Sequence, residues 1–335
     1  MLDKSARVVA WLAILLLFSR FGAAQSYKYI RIGQKNDAQT NPSAGVAMLG
    51  GGSDLDEAFR WLCQKANGGD FLIVRAHGDD DYNSYVNGLC KLNSVATLII
   101  PDRLSALDPA VADIIRHAEA IFIAGGDQAR YVNFWKTTPV QDAINEAIAA
   151  GKPIGGTSAG LAIEGEFSYA ALNDPPDDSE LQSKDALPNP YFPRVTVVRD
   201  FLKIPILHNT LTDSHFAIRD RMGRTLVFLA RIIQDGWSTN PREVAVDEKS
   251  AVLVEPDGKA TIVGSGKGAY FLKPAQVPEV CKRSEPLTFD NIVLYKAPAG
   301  SHFDLSSWAG NGGVSYTLSV DHGVIHSSQT DHSIY

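Results

Sequence analysis

From residue 45 onward, short apolar runs alternate with segments of helical period. The runs 46–49, 71–74, 95–100, 120–124 and 153–156 read as strands, and 54–66, 109–117 and 140–150 read as helices, the last stopped by Gly151. This alternation predicts an α/β domain of three layers, a doubly wound and mostly parallel sheet covered by helices on both faces. Residues 167–193 break the pattern with Asn173-Asp174-Pro175-Pro176-Asp177-Asp178 and Leu187-Pro188-Asn189-Pro190, which marks a long surface excursion, either a lid or a passive insertion. A strand over 195–198, a helix over 217–232, and hairpin-like strands around 243–254, 260–263 and 268–272 follow. The Gly- and Ser-rich remainder, including 292–295, predicts additional β structure.

The N-terminus has a different character. Lys4 and Arg7 precede an apolar run over 8–18, and Gly22-Ala23-Ala24 supplies small residues for cleavage, the pattern of a secretory signal peptide ending at residue 24. The 11-residue run falls short of the roughly 20 needed to span a bilayer. The mature chain is therefore expected to be secreted or periplasmic, without integral membrane association. Loss of Lys4, Arg7, Arg20 and Asp3 takes the formal charge from −7 to −9. That balance disfavours nucleic acid or an anionic membrane as partner and is compatible with a cationic substrate. With 335 residues, 45% hydrophobic and 21% charged, the chain has ordinary globular composition and needs no staple to build a core. Three cysteines are too few for a disulfide scaffold or zinc knuckle. Export permits one bridge; Cys63 and Cys90 are closest in sequence, and the pairing stays open.

The candidate chemistry begins at Gly156-Thr157-Ser158-Ala159-Gly160, where an apolar strand should turn into a helix. A serine on so tight a turn adopts a strained backbone, and glycines are needed where a Cβ would collide with neighbouring elements. The Ala159 amide then faces the space above Ser158, aided by the helix dipole. A phosphate-binding turn would use the same glycines. Upstream, Gly125-Gly126-Asp127-Gln128 ends a buried strand at the same sheet edge. The amides of Gly126 and Asp127 are candidates for a second oxyanion donor, and Gln128 for holding a substrate amide or carboxylate.

A nucleophilic serine needs a base, and of eight histidines His215, in Asp213-Ser214-His215-Phe216, is the best placed. His302, His322, His326 and His332 fall in the tail, His117 on a helix surface, and His208 in an apolar context. The acid that would orient His215 is sought at Asp247-Glu248, with Glu248 preferred and Asp247 in reserve, because adjacent strand residues face opposite ways. The order Ser, His, acid differs from that of α/β-hydrolases. His77 beside Asp79-Asp80-Asp81 lacks the spacing of a metalloprotease site, so neither metal nor cofactor is expected.

These segments together resemble the cyanophycinase and dipeptidase E family of serine peptidases (peptidase S51), whose fold is similar to class I glutamine amidotransferases. The pieces are Gly50-Gly51-Gly52, Gly125-Gly126-Asp127-Gln128, the Ser158 elbow, Asp213-Ser214-His215-Phe216, the run Arg219-x-Arg221-x-Gly223-Arg224, and Val246-Asp247-Glu248. The resemblance implies Ser158 as nucleophile, His215 as base and Glu248 as acid, with Gln128, Asp213, Arg219 and Arg221 shaping substrate recognition. It implies a peptide or isopeptide substrate, cyanophycin among the candidates, from which β-aspartyl-arginine would be released through an acyl-enzyme. It also implies a peptidase domain over 45–272, a preceding segment 25–44 and a β-rich extension over 273–335; a homodimer is compatible with it. Ser214 stands where the family usually has glutamine. An esterase built on the same elbow and a non-catalytic binding protein are the rival readings.

Overall fold

The computed structural model describes residues 27–175 and 180–335, so the expected leader lies outside the described residues. The strands form two sheets. The first runs in the order β1 (Lys28–Gly33), β4 (Ser94–Ile99), β3 (Asp70–Arg75), β5 (Ala120–Ile123), β6 (Ile154–Thr157), β2 (Val46–Leu49), β11 (Ser250–Val254), β12 (Lys259–Gly264), β15 (His302–Asp304) and β16 (Ala309–Asn311). The second runs β18 (Val324–Ser327), β17 (Val314–Asp321), β14 (Phe289–Ala297), β13 (Ala269–Pro274), β10 (Arg242–Val246), β9 (Thr210–Asp213), β7 (Phe167–Tyr169) and β8 (Val197–Arg199). The described helices are α1 (Asp56–Ala66), α2 (Asp81–Leu89), α3 (Arg103–Ala106), α4 (Pro109–Arg116), α5 (Gln128–Trp135), α6 (Pro139–Ala149), α7 (Ala159–Ala162), α8 (Ser183–Ala186) and α9 (Met222–Gln234).

Strands β4, β3, β5, β6 and β2 are mutually parallel, as expected of a doubly wound sheet. The rest of the first sheet is antiparallel: β1 pairs with β4, and β11 with β2. Side chains alternate between two cores. Phe71 and Ile73 pack with α1, while Leu72 and Val74 pack with α4 and α6 on the other face. Cys63 of α1 and Cys90 after α2 form a disulfide across the outer layer, and Cys281 is free and buried.

The second sheet is the main departure from a single doubly wound sheet. Its β10 sends Val244 and Val246 into the core shared with the first sheet, and Ala245 into a second core under α9. Helix α9 contributes Leu226, Phe228 and Leu229 to that second core. Each such side chain contributes roughly 1.5–3 kcal/mol when removed from water, which explains why the sheet is covered on both faces. The hairpin expected around 243–254 does not form. Strand β10 pairs with β9 and β13, whereas β11 pairs with β2 and β12, so the chain crosses from one sheet to the other at Asp247-Glu248-Lys249. The C-terminal β structure divides likewise, β14, β17 and β18 extending the second sheet and β15 and β16 the first.

Candidate active site

The elbow follows from packing. A Cβ on Gly156 would lie 2.5 Å from the carbonyl carbon of Gly160, and one on Gly160 would lie 2.0 Å from the carbonyl oxygen of Ile123, so neither position tolerates a side chain. Between them Ser158 takes φ 54° and ψ −114°, the strained conformation expected of it. Helix α7 is a single turn, so the amides of Ala159 and Gly160 themselves, rather than an extended dipole, supply the positive end.

The loop after β2 gathers the other two segments. Three successive carbonyls, those of Leu49, Gly50 and Gly51, accept the backbone N–H groups of Ser158 (3.1 Å), His215 (2.8 Å) and Lys249 (2.9 Å). The glycines keep the approach open. A Cβ on Gly51 would lie 2.4 Å from the His215 ring, and one on Gly52 would lie 3.1 Å from the Glu248 carboxylate. This is what Gly50-Gly51-Gly52 does here.

Across that junction Ser158 Oγ lies 2.7 Å from His215 Nε2, and His215 Nδ1 lies 2.6 Å from Glu248 Oε1. The histidine is 5% exposed and follows the carboxyl end of β9 with φ 47°. Burial pushes its imidazole pKa down; the Glu248 hydrogen bond opposes this, and Arg221 and Arg219 add to the lowering, so the net shift is below the ordinary value. A neutral ring at neutral pH is what a base requires. Asp247, the reserve acid, faces the other way: its Oδ1 accepts the N–H groups of Ala217 (3.0 Å) and Ile218 (2.9 Å), bracing the turn after His215.

Asp213 requires correction as a substrate contact. It is 1% exposed, and its carboxylate accepts from Arg224 Nε (2.9 Å) and Nη2 (2.6 Å) and from Arg221 Nη1 (3.1 Å). Burial raises its pKa, but the two guanidinium groups outweigh burial and hold it below the usual carboxylate range. Its place is behind the pocket wall, where it fixes the arginines. Arg221 also donates to the Ser214 carbonyl (2.7 Å) and reaches Glu180. Arg219 pairs with Glu180 and approaches Glu248 Oε1 at 3.7 Å.

The pocket over Ser158 has a volume of about 850 Å³. Its walls include Gly125, Gly126, Asp127 and Gln128 on one side and Ser214, Arg219 and Arg221 on another. The Asp127 carboxylate accepts the Ala129 N–H (2.8 Å), capping α5. The excursion expected over 167–193 contributes Tyr169, Ala171, Leu172, Asp174, Pro175 and Glu180. Of these six, the sequence marks Asp174 and Pro175 only as breaks in the periodic pattern, and none as a site residue. Glu180 lies among several acidic residues of similar context, and only its pairing with two arginines distinguishes it. His77 also reaches the wall; among the described residues no group of three or more His, Cys, Asp or Glu side chains is arranged to hold a metal ion.

Comparison with known proteins places this geometry in context. The model of peptidase family S51 matches residues 52–188, a span containing the elbow. The chain is 25% identical over 291 residues to the cyanophycinase of Synechococcus elongatus, covering 81% of this chain and 82% of that one, and equally to the cyanophycinase of Thermosynechococcus vestitus. It is 27% identical over 215 residues to the cyanophycinase of Geminocystis herdmanii, covering 62% and 70%. Among solved structures, a peptidase from an acI-B1 actinobacterium superposes with a TM-score of 0.47 at 15% identity, covering 68% of this chain and 89% of that one.

Proposed function

We propose that this chain, a cyanophycinase-like serine peptidase of the S51 type, hydrolyses peptide or isopeptide bonds with Ser158 as nucleophile, His215 as base and Glu248 as acid. The observation that carries the proposal is the continuous contact Ser158 Oγ–His215 Nε2–Nδ1–Glu248 Oε1 at 2.7 and 2.6 Å. In the first step Ser158 Oγ attacks the carbonyl carbon while its proton passes to His215 Nε2. The developing oxyanion is met by the N–H groups of Ala159 and of the Gly126-Asp127 turn. Collapse expels the amine, which takes the proton from the imidazolium. Water, deprotonated by His215, then cleaves the acyl-enzyme and returns the proton to Ser158. Glu248 holds the Nδ1 proton throughout, fixing the tautomer that leaves Nε2 free to accept.

The substrate class proposed is a β-linked aspartyl amide such as the aspartyl-arginine of cyanophycin, met by Gln128, Arg219 and Arg221 at the pocket wall. The parallel strands of the first sheet with helices on its faces suit a three-layer, glutamine amidotransferase-like core over 45–272, with 273–335 as its β extension. Export is part of the proposal, supported by the leader pattern of the first 24 residues and by the Cys63–Cys90 disulfide, which an oxidising compartment would preserve.

Incubation of the purified mature protein and its Ser158→Ala variant with insoluble cyanophycin, with products followed by mass spectrometry, tests this reading. Release of β-aspartyl-arginine by the wild type alone is expected. Equal release by both proteins would overturn the role of Ser158. Turnover of short-chain esters without any amide cleavage would replace the peptidase with an esterase.

A further inference from the structure

Tyr131 is absent from the proposed machinery, yet it touches the segment expected to supply the second oxyanion donor. It lies on α5 and is 1% exposed, with its ring stacked on Trp135 at 4.3 Å between centroids. Its hydroxyl lies 2.8 Å from the carbonyl oxygen of Ala124 and 3.1 Å from that of Gly125. Burial pushes the phenol pKa up, so the group remains a donor across any assay range. A Cβ on Gly126 would come within 3.0 Å of this hydroxyl, which places Tyr131 directly beneath the turn.

The orientation of one peptide follows. No cis peptide occurs among the described residues, and in a trans peptide the C=O and the following N–H point in opposite directions. With the Gly125 carbonyl turned toward Tyr131, the Gly126 N–H is turned away from it. Gly125 itself faces the nucleophile: a Cβ there would stand 3.5 Å from Ser158 Cβ. Two consecutive glycines, Gly126 at φ 154°, make this a peptide with little intrinsic preference for either orientation. If it turned over, the Gly125 carbonyl would replace the N–H, and an acceptor would face the developing negative charge.

We infer that Tyr131 is a positioning residue that latches the Gly125-Gly126 peptide in the orientation that aims the Gly126 N–H at the oxyanion. The inference rests on the peptidase reading and adds to it a side chain that touches no reacting atom. Its effect belongs to the transition state, so it separates from substrate binding and from folding.

The test compares Tyr131→Phe, which removes one oxygen and keeps the stack, with Trp135→Phe, which loosens the stack and keeps the hydroxyl. For Tyr131→Phe a roughly tenfold fall in kcat at unchanged KM is expected, the size of one lost neutral hydrogen bond and below the ~10²–10³ of a lost oxyanion donor. The inhibition constant of a peptide boronate, whose tetrahedral adduct places an oxygen at the oxyanion position, should rise by the same factor. Trp135→Phe should lower Tm and leave both kcat and boronate affinity near wild type. A Tyr131→Phe enzyme with lowered Tm but wild-type kcat and boronate affinity would overturn the latch, as would equal losses of kcat in both variants. A wild type lacking Ser158-dependent hydrolysis would remove the peptidase reading itself, and the latch with it.

Discussion

The two sheets divide the chemistry between them. The first carries Ser158, the proposed nucleophile, after β6 and the proposed oxyanion turn after β5, both at the ends of parallel strands. The second carries His215, the proposed base, after β9, and Glu248, the proposed acid, lies where the chain leaves β10 for β11. What joins the halves is neither sheet but the loop 49–51, whose carbonyls tie Ser158, His215 and Lys249 together. The site is therefore as well formed as the junction. A side chain that moves one sheet edge by an ångström is expected to part Ser158 from His215.

The largest break in this arrangement is expected from Glu248→Gln. Exchanging the acceptor for an amide favours the wrong tautomer of His215, and kcat should fall roughly 10⁴-fold with little change in Tm. A wild-type rate in steady-state assays would remove Glu248 from the relay. Gly51→Ala attacks the junction itself: its methyl would stand 2.4 Å from the His215 ring. A loss of about 10²-fold in kcat is expected, the scale set by an ångström of misplacement, with the circular dichroism of both sheets retained.

Smaller effects sharpen the electrostatics of the second sheet's side. As the proposed base, His215 would act in its neutral form, so kcat/KM should rise with pH through a midpoint below the ordinary value of 6.5. Arg219→Met removes one of the charges that lower it and should move the midpoint upward in a pH-rate profile; an unmoved midpoint would show that Arg219 does not act on the base. Glu180→Gln should free Arg219 for a substrate carboxylate and lower KM roughly threefold, as befits the partly exposed Arg219–Glu180 pair. A raised KM would instead make Glu180 a support for the arginines.

The smallest expected effect concerns stability. Glu164 is fully buried, its carboxylate oxygens lack hydrogen-bond partners, and burial raises its pKa well above the ordinary carboxyl value. A raised folded-state pKa gives stability present below the unfolded value of 4.5 and lost as pH rises toward the folded value. Glu164→Met should therefore gain Tm over wild type at pH 8 and less at pH 5, measured by calorimetry.

The contrast between the sheets also accounts for what could be read from the chain. Strands β2 to β6 were legible because each is a short apolar run between helical segments. The Ser158 elbow was legible because its glycines are required by local contacts. Strand β10 was seen, but its placement was not: both its faces are buried, so Val244-Ala245-Val246 has no polar face to tell which core it joins. The hairpin expected there failed because the turn at 247–249 is a crossover between sheets, a distinction that depends on partners far along the chain. Strand β1 and helix α5 went unnoticed. The first has partly exposed positions throughout, and the second mixes polar pocket residues with its buried Tyr131 and Trp135. Asp213 stands out beside His215, yet its role depends on Arg221, just before α9, and Arg224, on it, folding back over its carboxylate, which no local pattern announces.

Ser158 and His215 come from different sheets, and the proposed mechanism requires them to work as one unit. The most direct measurement is the rate at which a fluorophosphonate labels the protein as a function of pH, with the modified residue mapped by mass spectrometry. The account predicts modification at Ser158 alone, with a rate that rises through one ionisation below 6.5 and is lost in His215→Ala. Labelling of Ser158 at a rate indifferent to pH and to His215→Ala would contradict it.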